Sequence, residues 1–303
     1  MHIPDAMLHG TICPVTAVVS ALGVAGASYV ALKSPNKPTA TQFGTISALI
    51  FAGQMMNFPI ANGTSGHLLG GVLASALMGY PFGILALTLV ITIQSLVFAD
   101  GGLSVLGTNI LNMALIGAGL GGIIHATLVK KLTLTGFNYL ALGIAAWIAV
   151  LLAAVAVSFE LAISGTIAFT QVITAMLSTH ILIGWGEALI TVGGCWLLVR
   201  DKPIVSNNWN IMAPLMASMI IALMLSPFAC GFPDGLEWVA EQYQLFHQSA
   251  PTFVAPLANY VVPGLNQEIF ATGIAGLIGV LITFSMAWII GNLINPSRVR
   301  KPV

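Results

Sequence analysis

Charge is what this chain has least of. Of its 303 residues only 6% are charged, while 57% are hydrophobic. An ordinary soluble domain carries roughly 25% charged residues, so that class is excluded. Basic and acidic residues balance to a formal net charge of zero, which argues against a nucleic-acid partner. Cysteine is scarce too. Cys13, Cys195 and Cys230 stand alone and no Cys-x-x-Cys occurs, so neither a zinc ribbon nor a disulfide framework is expected. No Gly-x-x-x-x-Gly-Lys-Ser/Thr nucleotide loop is present. No His-Glu-x-x-His occurs, which removes a metalloprotease, and no catalytic activity is expected. The first residues lack Lys and Arg, and Pro4 and Asp5 interrupt them, so a cleaved signal peptide is not expected.

What the chain has instead is long uncharged apolar runs, the mark of an all-α integral membrane protein, a polytopic helical bundle. Spans are expected at 11–32, 41–57, 67–80, 82–98, 105–129, 137–158, 168–199, 211–230 and 269–294: about seven in a first domain, 1–205, and about two in a second, 206–303. The third and fourth are short for a crossing of about 20 residues and meet at the Gly79-Tyr80-Pro81 turn. All nine Lys and Arg residues fall on one side if the spans alternate, and the positive-inside rule makes that side cytoplasmic. The N-terminus is then outside and the C-terminus inside. Asp5, Asp100, Glu160, Asp234, Glu237, Glu241 and Glu268 gather at or beyond the outer ends, an acidic face that concentrates cations.

Chemistry is most concentrated at Met1-His2. A free amine, the backbone nitrogen of residue 2 and the His2 imidazole can close two fused small rings around one ion. With one more nitrogen that set suits square-planar Ni(II) or Cu(II). The bland alternative is an N-terminal tail. A candidate fourth nitrogen is His67 in Gly63-Thr64-Ser65-Gly66-His67-Leu68-Leu69-Gly70-Gly71, on the same outer side. Its alternative is a polar residue at a helix start, with Gly66 and Gly70 serving close packing. Asp100, Asn109, Asn112, His180 and Glu187 are polar at membrane depth, as a supporting layer around a site or as interhelical bonds. His180 and Glu187 lie seven apart, on roughly one helix face.

These stretches resemble the CbiM/NikM family, the metal-binding substrate-specificity component of cobalt and nickel energy-coupling-factor (ECF) importers. The resemblance rests on MHIPD at the start, GTSGHLLGG at 63–71, DGG at 100–102, TNILNM at 108–113 and HILIGWGEALIT at 180–191. Pro233-Asp234-Gly235-Leu236-Glu237 resembles the signature of the auxiliary PDGLE domain, the CbiN/NikN-type partner, so the chain looks like a fusion of the two. The resemblance implies Ni2+ or Co2+ as the transported substrate, held by Met1, the backbone and imidazole of His2, and His67. It implies a separate transmembrane coupling subunit (CbiQ/NikQ-like), ATPase subunits (CbiO/NikO-like) and a place in the cell's inner (plasma) membrane lipid. Two departures stand out: Ala6 and Asn62 occupy positions that are usually Gly. A positive φ at Ala6 is then strained. Two readings of residues 231–268 stand open: their acids lie over the metal loop, or the segment is a docking domain with an acidic, solvated loop. A rival reading, a self-sufficient secondary transporter, needs several mid-membrane acids, and Glu187 is the one acid inside an expected span.

Overall fold

The computed structural model describes residues 1–61, 63–131, 139–199, 212–245 and 253–295. Its helices are α1 (Ile12–Lys33), α2 (Ala40–Gln54), α3 (Gly71–Met78), α4 (Tyr80–Phe98), α5 (Leu106–Lys131), α6 (Tyr139–Ile163), α7 (Phe169–Val199), α8 (Met212–Phe228), α9 (Gly235–Gln242) and α10 (Glu268–Ile294). Among the described residues six helices, α1, α4, α5, α6, α7 and α10, are long and apolar enough to cross a bilayer. The molecule is an all-α polytopic membrane protein. Outward faces are apolar because lipid, not water, surrounds them: α1 exposes Val15, Val18, Val19 and Leu22. Inward faces are small. Ala141, Ala145, Ala149 and Ala153 form one buried stripe of α6, and a Cβ on Gly121 of α5 would stand 2.9 Å from the Ala149 methyl.

The third expected span differs most from its expectation. Residues 57–67 form a short antiparallel pair, β1 (Asn57–Pro59) with β2 (Ser65–His67), and helix begins only at Gly71. Eight residues of α3 rise about 12 Å against an apolar core of about 30 Å. The cause is local. Glu187 accepts hydrogen bonds from Leu69 N and Gly70 N, which holds the 68–70 backbone out of the helix. A second difference concerns Glu160. Helix α6 continues to Ile163, and Glu160 is buried in its last turns, accepting a hydrogen bond from Asn112 at 2.7 Å.

Charge separates between the two ends of the bundle. Lys37 Nζ donates to Ile294 O and Asn295 to Pro38 O, so the end of α10 sits beside the α1–α2 connection, and the 76–82 turn lines the same groove. Asp5, Asp100 and Asp234 lie at the opposite end. Asn62, Arg200, Asp201, Lys202, Arg298, Arg300 and Lys301 lie outside the described residues.

The C-terminal helices belong to the same bundle. Helix α10 crosses α2 so tightly that a Cβ on Gly279 would stand 2.1 Å from the Phe51 ring, so only glycine fits there. Two stretches are π-helical, Gln94–Phe98 at the end of α4 and Ile110–Leu120 within α5. Such turns are uncommon and concentrate near functional sites.

Candidate metal centre

The first eight residues are threaded into the bundle and form no tail. Ile3 is fully buried, and Asn109 grips it on both sides: Ile3 N donates to Asn109 Oδ1 at 2.9 Å, and Asn109 Nδ2 donates to Ile3 O at 3.0 Å. Gly102 N also donates to Ile3 O. Asp5 Oδ1 accepts from Ser104 N and its hydroxyl, and Thr166 Oγ1 donates to Met7 O. Ala6 joins these anchors with φ 66°, the left-handed region. A side chain there costs about 1 kcal/mol.

These anchors deliver Met1 and His2 to His67. The Met1 nitrogen hydrogen-bonds to His67 Nε2, and the His2 and His67 rings stack with centroids 5.4 Å apart. His67 Nδ1 hydrogen-bonds to Leu68 O at 3.0 Å, which directs Nε2 at Met1. His67 ends β2, and its orientation rests on the neighbouring Leu69 and Gly70 amides held by Glu187. His2 has a partner at each ring nitrogen: Asp100 Oδ1 lies 3.2 Å from Nδ1, and Gln94 Oε1 lies 3.1 Å from Nε2. Burial pushes the His2 pKa down to about 4 despite the Asp100 carboxylate, so the imidazole is neutral near pH 7, the form that ligates metal.

The site has a second wall, from the C-terminal region. Asp234 Oδ2 accepts from the Met1 nitrogen at 2.7 Å and stands 3.5 Å from His67 Nε2. Burial alone would raise its pKa, but the Met1 ammonium and His67 hold this carboxyl well below the usual range. On the other side the Tyr260 hydroxyl donates to Asp100 Oδ2 at 2.6 Å. Burial and that carboxylate push its phenol well up. Of the acids in residues 231–268, Asp234 is thus the one that touches the Met1 nitrogen and His67.

A cleft of about 310 Å³ opens onto the cluster, lined in part by His2, His67, Asp100, Asp234, Glu237 and Tyr260, with no Lys or Arg among the described residues of its wall. Among the described residues no group of three or more His, Cys, Asp or Glu side chains could hold a metal by itself. What the arrangement offers is two imidazoles together with the Met1 nitrogen, a donor set suited to a borderline transition-metal ion.

Comparison with known proteins decides the family. Residues 2–205 match the cobalt uptake substrate-specific transmembrane region, CbiM, and residues 208–296 match the PDGLE domain. The chain belongs to the CbiM family, fused to a PDGLE domain. A relative from Archaeoglobus fulgidus bearing the fused nickel transport name NikMN is 34% identical over 298 residues, covering 95% of this chain and 97% of its own. The fused nickel transport protein NikMN of Rhodobacter capsulatus is 27% identical over 271 residues, covering 80% of this chain and 77% of that protein. The crystal structure of a truncated transition metal transporter aligns with a TM-score of 0.59 at 30% identity, covering 67% of this chain and all of that one. The protein is therefore a multi-pass membrane member of a nickel and cobalt transport family.

Within this CbiM–PDGLE frame the residues singled out from sequence fall into two groups. Met1, His2, His67, Asp100, Asn109 and Glu187 are joined by the bonds above. His180 lines a small cavity together with Met1, His67 and Asp234, its Nδ1 bonded to Met176 O at 2.7 Å. Asn112, one turn beyond Asn109, pairs with Glu160 instead. Sequence reasoning passed over Gln94 and Tyr260. Gln94 had a usable signal, an amide side chain within the expected span 82–98. Tyr260 had none.

Proposed function

We propose that the chain is the substrate-binding membrane subunit of an ATP-driven ECF-type importer, capturing one Ni2+ or Co2+ from outside the cell. The observation that carries this reading is the convergence of the Met1 nitrogen, His2 and His67 at the acidic end of the bundle. The amine, the backbone nitrogen and imidazole of His2, and His67 Nε2 hold the ion, and the ammonium and the His2 amide each release a proton on loading. Asp100, Asn109 and Glu187 hold those groups in place, and His180 borders them. The face with Lys33 and Lys37 is cytoplasmic, which puts the N-terminus outside in the plasma membrane. Residues 1–205 hold the ion and residues 206–303 assist.

Energy comes from elsewhere. The chain has no nucleotide loop, so a coupling subunit and ATPases drive release to the cytoplasm. A self-sufficient secondary carrier is disfavoured because the acids inside spanning helices have structural partners, Glu187 the 69–70 amides and Glu160 the Asn112 amide. Ni2+ and Co2+ uptake by cells producing this chain with and without the coupling and ATPase subunits tests the reading. Uptake confined to cells with all subunits is expected; full uptake by the chain alone would make it a secondary carrier.

A further inference from the structure

The PDGLE signature places one oxygen atom inside the nitrogen cluster, and each of its residues contributes. Pro233 O accepts from Ser65 N at 2.8 Å, and Phe232 O from Ser65 Oγ at 2.7 Å, which splices this segment onto β2 two residues before His67. Asp234 caps α9: Oδ1 accepts from Leu236 N at 2.8 Å and Glu237 N at 2.9 Å, while Glu237 returns a bond to Asp234 N. Gly235 has no room for a side chain, since a Cβ would stand 2.7 Å from Ile183 and 2.9 Å from His180. Leu236 is fully buried and anchors the turn. With Oδ1 committed to the cap, Oδ2 is aimed at Met1 N and His67 Nε2.

We propose that Asp234 Oδ2 is a fifth donor to the transported ion, so that the PDGLE domain binds the substrate directly. This rests on the reading of Met1, His2 and His67 as its nitrogen donors. Two neighbouring donors on bonds of about 2 Å to one ion are separated by roughly 2.8 Å, and Oδ2 already stands 2.7 Å from the Met1 nitrogen. Asp234, only 8% exposed, adds a carboxylate oxygen beside the amine and imidazole nitrogens. The oxygen also converts a planar four-nitrogen Ni(II) site into a five-coordinate one, which changes its magnetism and its visible spectrum.

The test compares the purified full chain with Asp234→Asn, loaded with Ni(II) alone. Asparagine caps a helix about as well as aspartate, so α9 and the fold persist while the anion is lost. Wild type is expected to show five-coordinate, paramagnetic Ni(II) with one oxygen donor by X-ray absorption. Asp234→Asn should lose that oxygen and bind at least tenfold more weakly. A planar all-nitrogen site in wild type overturns the proposal with no variant needed. So does Asp234→Asn with wild-type affinity and spectrum, which leaves Asp234 as a cap and an amine partner. Those outcomes leave the nitrogen site standing. Wild type binding neither Ni(II) nor Co(II) would overturn that site as well.

Discussion

One glycine added ahead of Met1 is the smallest change that reaches the site. It turns the amine into an amide, removes its positive charge and moves the new amine one residue further out. The Met1 nitrogen has no spare room: the cavity that Met1, His67, His180 and Asp234 share measures about 10 Å³, the volume of about one water. Nor can the amide keep the charge that pairs with Asp234 at 2.7 Å in a buried setting. Breaking a buried ion pair by removing one partner costs about 3–5 kcal/mol. At about 1.4 kcal/mol per tenfold, docking of the N-terminal segment weakens roughly 100- to 4,000-fold, before the loss of a metal donor is counted. The assay is metal content and Ni(II) affinity of purified chains with and without the extra residue, intact mass confirming the N-terminus. Extended protein should elute as folded and hold no metal, as His2→Ala should. Equal occupancy in both forms would remove the amine from the site and refute the reasoning.

Glu187→Gln leaves the amide of Leu69 or Gly70 facing another donor, at about 1–3 kcal/mol. It should lower the apparent melting temperature and weaken Ni(II) binding roughly 10- to 100-fold by loosening His67, read by calorimetry and titration. Ala6→Gly relieves a positive φ and should raise the melting temperature without changing metal affinity, a gain of about 0.5–1 kcal/mol that differential scanning fluorimetry detects. Metal-free protein should lose stability as pH falls from about 6.5 to about 4. The unfolded chain takes up a proton on His2 near pH 6.5, while the buried imidazole stays neutral down to about 4. His2→Ala should flatten that part of the stability–pH curve.

How much of this could be read from residues alone follows from the range of each interaction. Apolar runs announce helices locally, so α1, α4, α5 and α7 begin and end within a few residues of where hydropathy puts them. The acidic and basic ends are equally local, since each charge follows its own span. Met1-His2 announces itself through chelate geometry within two residues. The β2–α3 junction was hidden because residues 67–70 are apolar enough to read as helix. What unwinds them is Glu187, 117 residues beyond Gly70. Tyr260, and the bond of Asp234 to the amine, were hidden for the same reason: these contacts form only through folding, 160 residues from Asp100 and 233 from Met1. Glu160 misled because its helix runs a turn past the apolar run, so a buried partner of Asn112 looked like part of the solvated acidic face.

The central claim is that the Met1 nitrogen, His2 and His67 together hold one divalent transition-metal ion. The most direct measurement is the stoichiometry and affinity of Ni(II) and Co(II) for the purified full chain, beside His2→Ala and His67→Ala, by equilibrium dialysis with elemental analysis. The account predicts one ion per wild-type chain, and loss of high-affinity binding in each variant while both remain folded. Undiminished binding by a folded His67→Ala chain, or a wild-type chain that retains neither ion, would contradict it.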